Sequence, residues 1–183
     1  CTGSTEGYAT VTVNGGCAPA NTTITTAPTN YSSATQFARV SASSGSTYSW
    51  SVINGTLLTP QGQSQIQYAL GCSGTTTVNV TIKRSCGTTS SGTASVAIVR
   101  SNAVVSGSQA IYYGQAATIQ ATYTGTYPWS IIWSDGEAQY NIYSETVYRE
   151  VTPTTTTTYT ATEVRDKSWC SGTVSGSATV NVQ

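Results

Sequence analysis

Cysteine and carboxylate are the side chains here best suited to chemistry, and both are sparse. Histidine is absent from the 183 residues, which removes Ser-His-Asp and Cys-His catalysis and imidazole-based metal sites. The seven carboxylates (Glu6, Asp135, Glu137, Glu145, Glu150, Glu163 and Asp166) are scattered. Asp135 and Glu137 could direct two oxygens at a calcium ion, but no third or fourth ligand follows them. The bland alternative is a solvated Asp-Gly hairpin turn. Asp166 and Lys167 read as a surface pair of little energetic weight. No catalytic residue, metal or cofactor is expected, and no enzymatic activity.

Five cysteines suggest an oxidising, exported setting, and their odd number leaves at least one thiol free or paired outside the chain. Which of them can meet depends on the elements that carry them. Ser and Thr supply about a third of the residues and charged side chains 8%, against a typical ~25% charged. Hydroxyl-rich strand surfaces stay wet without charge. Zero net charge gives no electrostatic draw toward nucleic acid or anionic lipid. No apolar run approaches the ~20 residues that span a bilayer. Thr, Val, Tyr and Ile favour strands and no segment shows a helical period, so the fold class is all-β.

Two units follow one another. In the first, strands are expected over 21–27, 34–42 (with Phe37 and Val40 facing the core), 47–52, 55–59, 63–70, 75–83 and 93–99. The second repeats the order over 103–106, 117–123, 128–133, 137–144, 146–151, 156–164 and 177–182. Seven or so short strands at 8–12-residue spacing are the signature of an immunoglobulin-like sandwich, with a Trp of the third strand at its centre. Trp50 fits that role in the first unit, and Trp129 or Trp133 in the second. The boundary falls near Arg100–Asn102, giving domains over 15–100 and 101–183.

A third element precedes them. Cys1 to Val13 matches Cys170 to Val182 almost position for position, and Cys86 to Ile98 is a weaker copy. Each has a Cys, a Gly/Ser/Thr turn, a Gly six residues after the Cys, and then alternating apolar residues. Residues 1–14 therefore read as an extra closing strand, belonging to a preceding domain or donated to a neighbour. Tyr8 lies on one face, and Ala9, Val11 and Val13 on the apolar other. A leading Cys also admits a lipoprotein reading of Cys1.

The runs Tyr113 to Ile119, Thr124 to Gly136, Val151 to Thr162 and Cys170 onward resemble the bacterial Ig-like repeats of long secreted surface proteins. The first unit, with Tyr48-Ser-Trp-Ser-Val52 and Cys86-Gly-Thr-Thr-Ser90, is similar to the PKD-like repeats that accompany them. The resemblance implies extracellular adhesins, stalks, fibres or accessory modules of secreted enzymes, with no catalytic residues to carry over. The family often has a Cys at the position of Tyr113, paired with the one matching Cys170. That departure leaves Cys170 without its usual partner.

Strand order limits the pairings. Cys72 and Cys86 sit at opposite ends of one strand, tens of ångströms apart at ~3.3 Å per residue, beyond the ~7 Å a bridge allows between Cα atoms. Cys17, where the first unit begins, and Cys86, in the turn before its last strand, share a pole. Cys72 and Cys170 face each other across the boundary. The pairs are then Cys17–Cys86 and Cys72–Cys170, with Cys1 left unpaired or for another subunit; several reduced, buried thiols are the alternative. Tyr112, Tyr113, Tyr123, Tyr127, Tyr140, Tyr143, Tyr148 and Tyr159 crowd the second unit with Trp129, Trp133 and Trp169. Some must be core, Tyr159 as a tyrosine-corner-like bond to backbone. The rest would be a sugar-stacking face, a protein interface or merely exposed. Asn21, Asn30, Asn54 and Asn79 head N-glycosylation sequons, a number close to chance in so hydroxyl-rich a chain.

The expectation is a structural subunit of an extracellular fibre or surface adhesin, joined head to tail by strand addition and disulfides. Its partners would be copies of itself or neighbouring domains of the same polypeptide, with surface glycans a further option. The alternative is a carbohydrate-binding or spacer module of a secreted polysaccharide-degrading enzyme.

Overall fold

The computed structural model describes residues 17–27 and 29–183. Cys1, Tyr8, Ala9, Val11 and Val13, and with them the expected strand over 1–14, lie outside the described residues. The described residues form seventeen strands and no helix, so the fold is all-β. No helix among them is long and apolar enough to cross a membrane.

The first half has two facing sheets. β1 (Thr25–Thr26), β2 (Thr35–Arg39), β4 (Gly55–Leu57) and β5 (Gln65–Leu70) make one, in the order β1-β2-β5-β4; β3 (Ser46–Ile53), β6 (Thr75–Arg84) and β7 (Thr89–Ala97) make the other, in the order β3-β6-β7. Alternation is cleanest in β6, where Thr76, Val78, Val80 and Ile82 are buried and their neighbours are not. Each such Val or Ile contributes roughly 1.5–3 kcal/mol by leaving water. Trp50 on β3 lies in this core, its indole N–H donating to the Gln63 carbonyl at 2.8 Å.

The second half repeats the plan with a switch. β8 (Asn102–Ser106), β10 (Ala117–Thr124), β13 (Thr146–Val151) and β16 (Thr173–Gly176) form a sheet in the order β13-β10-β8-β16. Opposite lie β12 (Ala138–Ile142), β11 (Trp129–Trp133) and β15 (Ala161–Arg165), together with a second ladder of β14 (Thr157–Tyr159), β17 (Ala178–Val182) and β9 (Gln109–Ile111). The strand expected over 156–164 is thus two, broken at Thr160. The closing strand begins at Thr173, not Ser177, and changes sheet at Ser177. The core of this half, Ala103 to Val180, shares no residue with that of the first, Ala34 to Val96. Trp129 and Trp133 are both in it.

Opening and closing strands run parallel, β8 with β16 and β9 with β17. The first half has a shorter version, a parallel bridge between Tyr31 and Val99. This close approach explains the glycines six residues after Cys86 and Cys170. A Cβ on Gly176, which has φ +73°, would strike the Val105 carbonyl, and one on Gly92 would strike the Thr22 carbonyl. Only glycine lets the closing strand lie so near the opening segment.

Two expectations on the first half are corrected. Phe37 is 43% exposed, because Ala34, Gln36, Ala38 and Val40 take the inward face of β2 and its approach. Residues of opposite parity cannot both face one core. The opening strand expected over 21–27 shrinks to Thr25–Thr26. The preceding stretch instead runs beside β7 on single contacts, such as Ala20 N–H to Ser90 Oγ at 3.2 Å. Trp50→Ala and Trp133→Ala should each lower unfolding free energy by about 3–5 kcal/mol in denaturant titrations, and Phe37→Ala by under ~1 kcal/mol.

Candidate functional site

Asp166, Cys72 and Cys170 come together where the two halves meet. Strand directions put Ser101, the 125–128 loop, Tyr143 to Glu145 and the 166–172 turn at the end of the second sandwich nearest the first. The 30–34 stretch, Asn54 and the Gly71–Gly74 turn form the opposing end. Cys72 is bonded to Cys170 across this gap, with Cα atoms 5.1 Å apart. Cys17 is bonded to Cys86 at the far end of the first sandwich, Cα atoms 6.1 Å apart.

Asp166 is the centre of the joint, and the surface-pair expectation for it is wrong. It is 4% exposed. Its carboxylate accepts from Ser32 Oγ at 2.7 Å and from Ser33 Oγ at 3.0 Å, both on the first sandwich. It also accepts from the backbone N–H groups of Ser168 at 3.0 Å and Cys170 at 3.1 Å. Four donors satisfy a buried charge that would otherwise be costly. The same side chain thus shapes the turn that carries Cys170 and ties that turn to the neighbouring sandwich. The Ser32 and Ser33 hydroxyls are buried and directed at this carboxylate, so they act as anchors. Lys167, next in sequence, is exposed. Ser32 and Ser33 were not legible in sequence, since more than a hundred residues separate them from Asp166.

Asp135 has a different partner from the one its turn suggests. Arg149 grips it with two N–H groups, one at 2.9 Å and one at 2.5 Å, and the guanidinium lies 5.3 Å from the Trp133 ring centroid and 5.7 Å from that of Tyr159. The hydrogen bond from Arg149 holds the Asp135 carboxyl below the usual aspartate range. Among the described residues no group of three His, Cys, Asp or Glu could hold a metal. Tyr159 is buried under that guanidinium; no hydrogen bond of its hydroxyl to backbone occurs among the described residues, so the tyrosine-corner expectation is replaced by this stacking. Burial pushes the Tyr68, Tyr123 and Tyr159 phenols up, away from proton transfer near neutrality.

The aromatic crowd divides. Tyr123 stacks on Trp129 inside the core, centroids 5.2 Å apart. Tyr127, Tyr140, Tyr143 and Trp169 are exposed at or near the joint, while Tyr112 and Tyr113 are exposed at the opposite end and Tyr148 on the outer face of β13. Tyr127 links Trp129 and Tyr143 through edge contacts at 5.9 and 6.3 Å. Of the sequon asparagines, Asn21 is exposed and Asn30 half-buried. Asn54 donates to the Ser73 carbonyl at 2.7 Å, and Asn79 bonds Ser51 and Thr93 across its sheet.

No protein-family model matches the chain, and no curated protein matches it. Solved structures similar to it include fibronectin(III)-like modules of Clostridium thermocellum CbhA, 13% identical over 88% of this chain and 94% of that one, at a TM-score of 0.35. The Yersinia pseudotuberculosis adhesin InvE is 15% identical over 87% of this chain and 58% of its own, at 0.33. A Ca2+-stabilized adhesin with which an Antarctic bacterium binds ice is 13% identical over 89% of this chain and 50% of its own, also at 0.33. The chain spans about half the length of those two adhesin structures. With identity and score this low, the fold rests on the strand pairing itself.

If Asp166 couples the sandwiches, a double-mutant cycle of Asp166→Ala with Ser32→Ala should give an interaction energy above ~1 kcal/mol. Asp166→Ala alone should cost about 2–4 kcal/mol. A coupling near zero would show that the two sandwiches do not communicate through it. For Asp135, whose folded pKa is depressed, the stabilisation is complete above the unfolded value near ~4 and is lost as pH falls through the folded value. Stability measured from pH 5 down to 2 should therefore decline more steeply in the parent protein than in Asp135→Asn.

Proposed function

We propose that this chain is a load-bearing unit of an extracellular fibre or surface adhesin. The observation that carries the reading is the route of covalent bonds from one end of the folded pair to the other. Tension arriving at Cys17 crosses directly to Cys86. It then runs back along β6 to Cys72, crosses to Cys170, and leaves along β16 and β17. β6 spans the first sandwich and β16 with β17 spans the second, so almost the whole route is strand that is already extended. Its 27 backbone steps reach about 100 Å when taut, against roughly 570 Å for residues 17–183 without bridges. Pulling end to end therefore loads disulfides and peptide bonds before it can unravel either core. Most of each sandwich lies off the route.

The parallel closure of β8 with β16 and β9 with β17 stands behind the bridges: β8 and β9 lie off the route while Cys72–Cys170 is intact and take load only when that bond is opened. Strands then drawn in opposite directions along their length share the load among all their hydrogen bonds at once. Residues 1–13 share the sequence pattern of 170–182, where Gly176 meets the opening strand and Ala178 and Val180 are fully buried. We read them as an assembly strand that completes a neighbouring sandwich, either an adjoining domain or another copy, by main-chain pairing. The reading assigns the chain no reaction.

Single-molecule pulling with handles at both chain ends tests this. The oxidised protein should show no unfolding step before the taut length is reached. The Cys72→Ser, Cys170→Ser variant should release about 240 Å of additional contour length, because the ~84 backbone steps from Cys86 to Cys170 replace the ~14 from Cys86 back to Cys72 on the route. Large steps in the oxidised parent protein would end the load-bearing reading. Val11→Asp should abolish filaments seen by electron microscopy while leaving thermal unfolding of the sandwiches unchanged; filaments that persist would refute strand addition.

A further inference from the structure

The joint carries one feature that bearing load does not require. Beside the 166–170 turn lies an open cleft of about 200 Å³ whose walls include Trp129, Ser130, Tyr140, Asn141, Lys167 and Trp169. Tyr140 and Trp169 are 59% and 64% exposed and line the same cleft, so two large rings face one open space. Trp169 is held there. It has φ +62°, its N–H donates to the Asp166 carbonyl at 2.9 Å, and the Arg165 guanidinium lies 5.8 Å from its ring centroid. Asn141, across the cleft, also has positive φ, at +57°. Two non-glycine residues held in a sparsely populated backbone region at one cleft is the kind of strain that gathers at binding sites. Trp129 adds a third observation: it is 97% buried, and its indole N–H has no acceptor among the described residues.

We infer that this cleft binds a hexopyranose ring of a polysaccharide. The walls match the two surfaces of such a ring. Its apolar C–H face stacks on an exposed aromatic plane, here Trp169 or Tyr140. Its hydroxyls take hydrogen bonds from neutral amide and hydroxyl groups, here Asn141 and Ser130. The charge balance at the cleft points the same way. Asp166 is consumed by the joint and Arg165 is paired with Glu163 at 2.5 Å, so Lys167 is the cation there with no ion-pair partner among the described residues. That pattern suits a neutral sugar or one bearing a single carboxylate. A volume below the ~300 Å³ of an ordinary small-molecule pocket limits the contact to about one ring, as on a surface that grips a long chain at intervals. The site is independent of the load-bearing reading, since neither the bridges nor the parallel strands form its walls.

Affinity electrophoresis of the full chain through gels containing β-glucan, mannan or polygalacturonate tests the inference and separates neutral from acidic sugars. At least one gel should retard the protein. Trp169→Ala should weaken that retardation by about tenfold or more, with melting temperature unchanged, while Tyr112→Ala, altering an exposed ring at the far end, should leave it intact. Lys167→Gln should weaken binding only if the acidic polymer is the one retained. No retardation in any gel overturns the site, as does equal loss from Trp169→Ala and Tyr112→Ala. So does a Trp169→Ala variant that binds as before. If Trp169→Ala instead disperses self-association in sedimentation velocity without any sugar retardation, the patch is a protein contact and the inference fails.

Discussion

A single buried carboxylate organises the centre of this molecule. Taking Asp166 out of water is costly unless its oxygens are fully engaged, and here four donors from two sandwiches meet that demand. Because two of them are backbone N–H groups of its own turn, the charge fixes the turn's shape. Because the other two are Ser32 and Ser33, it fixes where the turn sits. The positions of Cys170 against Cys72, and of Trp169 facing outward, both follow from that turn. Few charged side chains exist in this protein, and one of them has been used where removal of its partners would leave an uncompensated buried charge.

Much of the architecture was readable from residue spacing. Period-two runs such as Thr76, Val78, Val80 and Ile82 could be nothing but half-buried strands, and strand order alone brought Cys17 toward Cys86 and Cys72 toward Cys170. What failed did so for identifiable reasons. The apolar character of Phe37 suggests an inward position, although its parity, opposite to that of Ala38 and Val40, puts it on the other face. The glycines six residues after Cys86 and Cys170 are visible as a pattern, while their cause, a carbonyl of the opening segment lying against each, exists only in three dimensions. Asp166-Lys167-Ser168 looks like any solvated turn. Nothing local distinguishes an aspartate that will be met by serines 133 and 134 positions away. The bidentate grip of Arg149 on Asp135 was hidden in the same manner.

The hydroxyl-rich composition also has a structural account. Outward threonines and serines pair across strands, Thr158 with Thr179 at 3.0 Å and Thr81 with Ser91 at 3.4 Å. Such pairs stiffen the sheet faces modestly and keep them hydrated without the ionic screening that makes charged surfaces salt-dependent.

The two bridges interleave, since Cys72 lies within the span closed by Cys17 and Cys86 while its partner lies beyond it. A peptide bond hydrolysed anywhere between Cys17 and Cys170 therefore leaves every fragment attached to the rest. A cut before Cys86 is spanned by Cys17–Cys86, and one after it by Cys72–Cys170. Over that whole stretch a single proteolytic nick cannot sever the molecule, so exposed loops there can be damaged without parting its two ends.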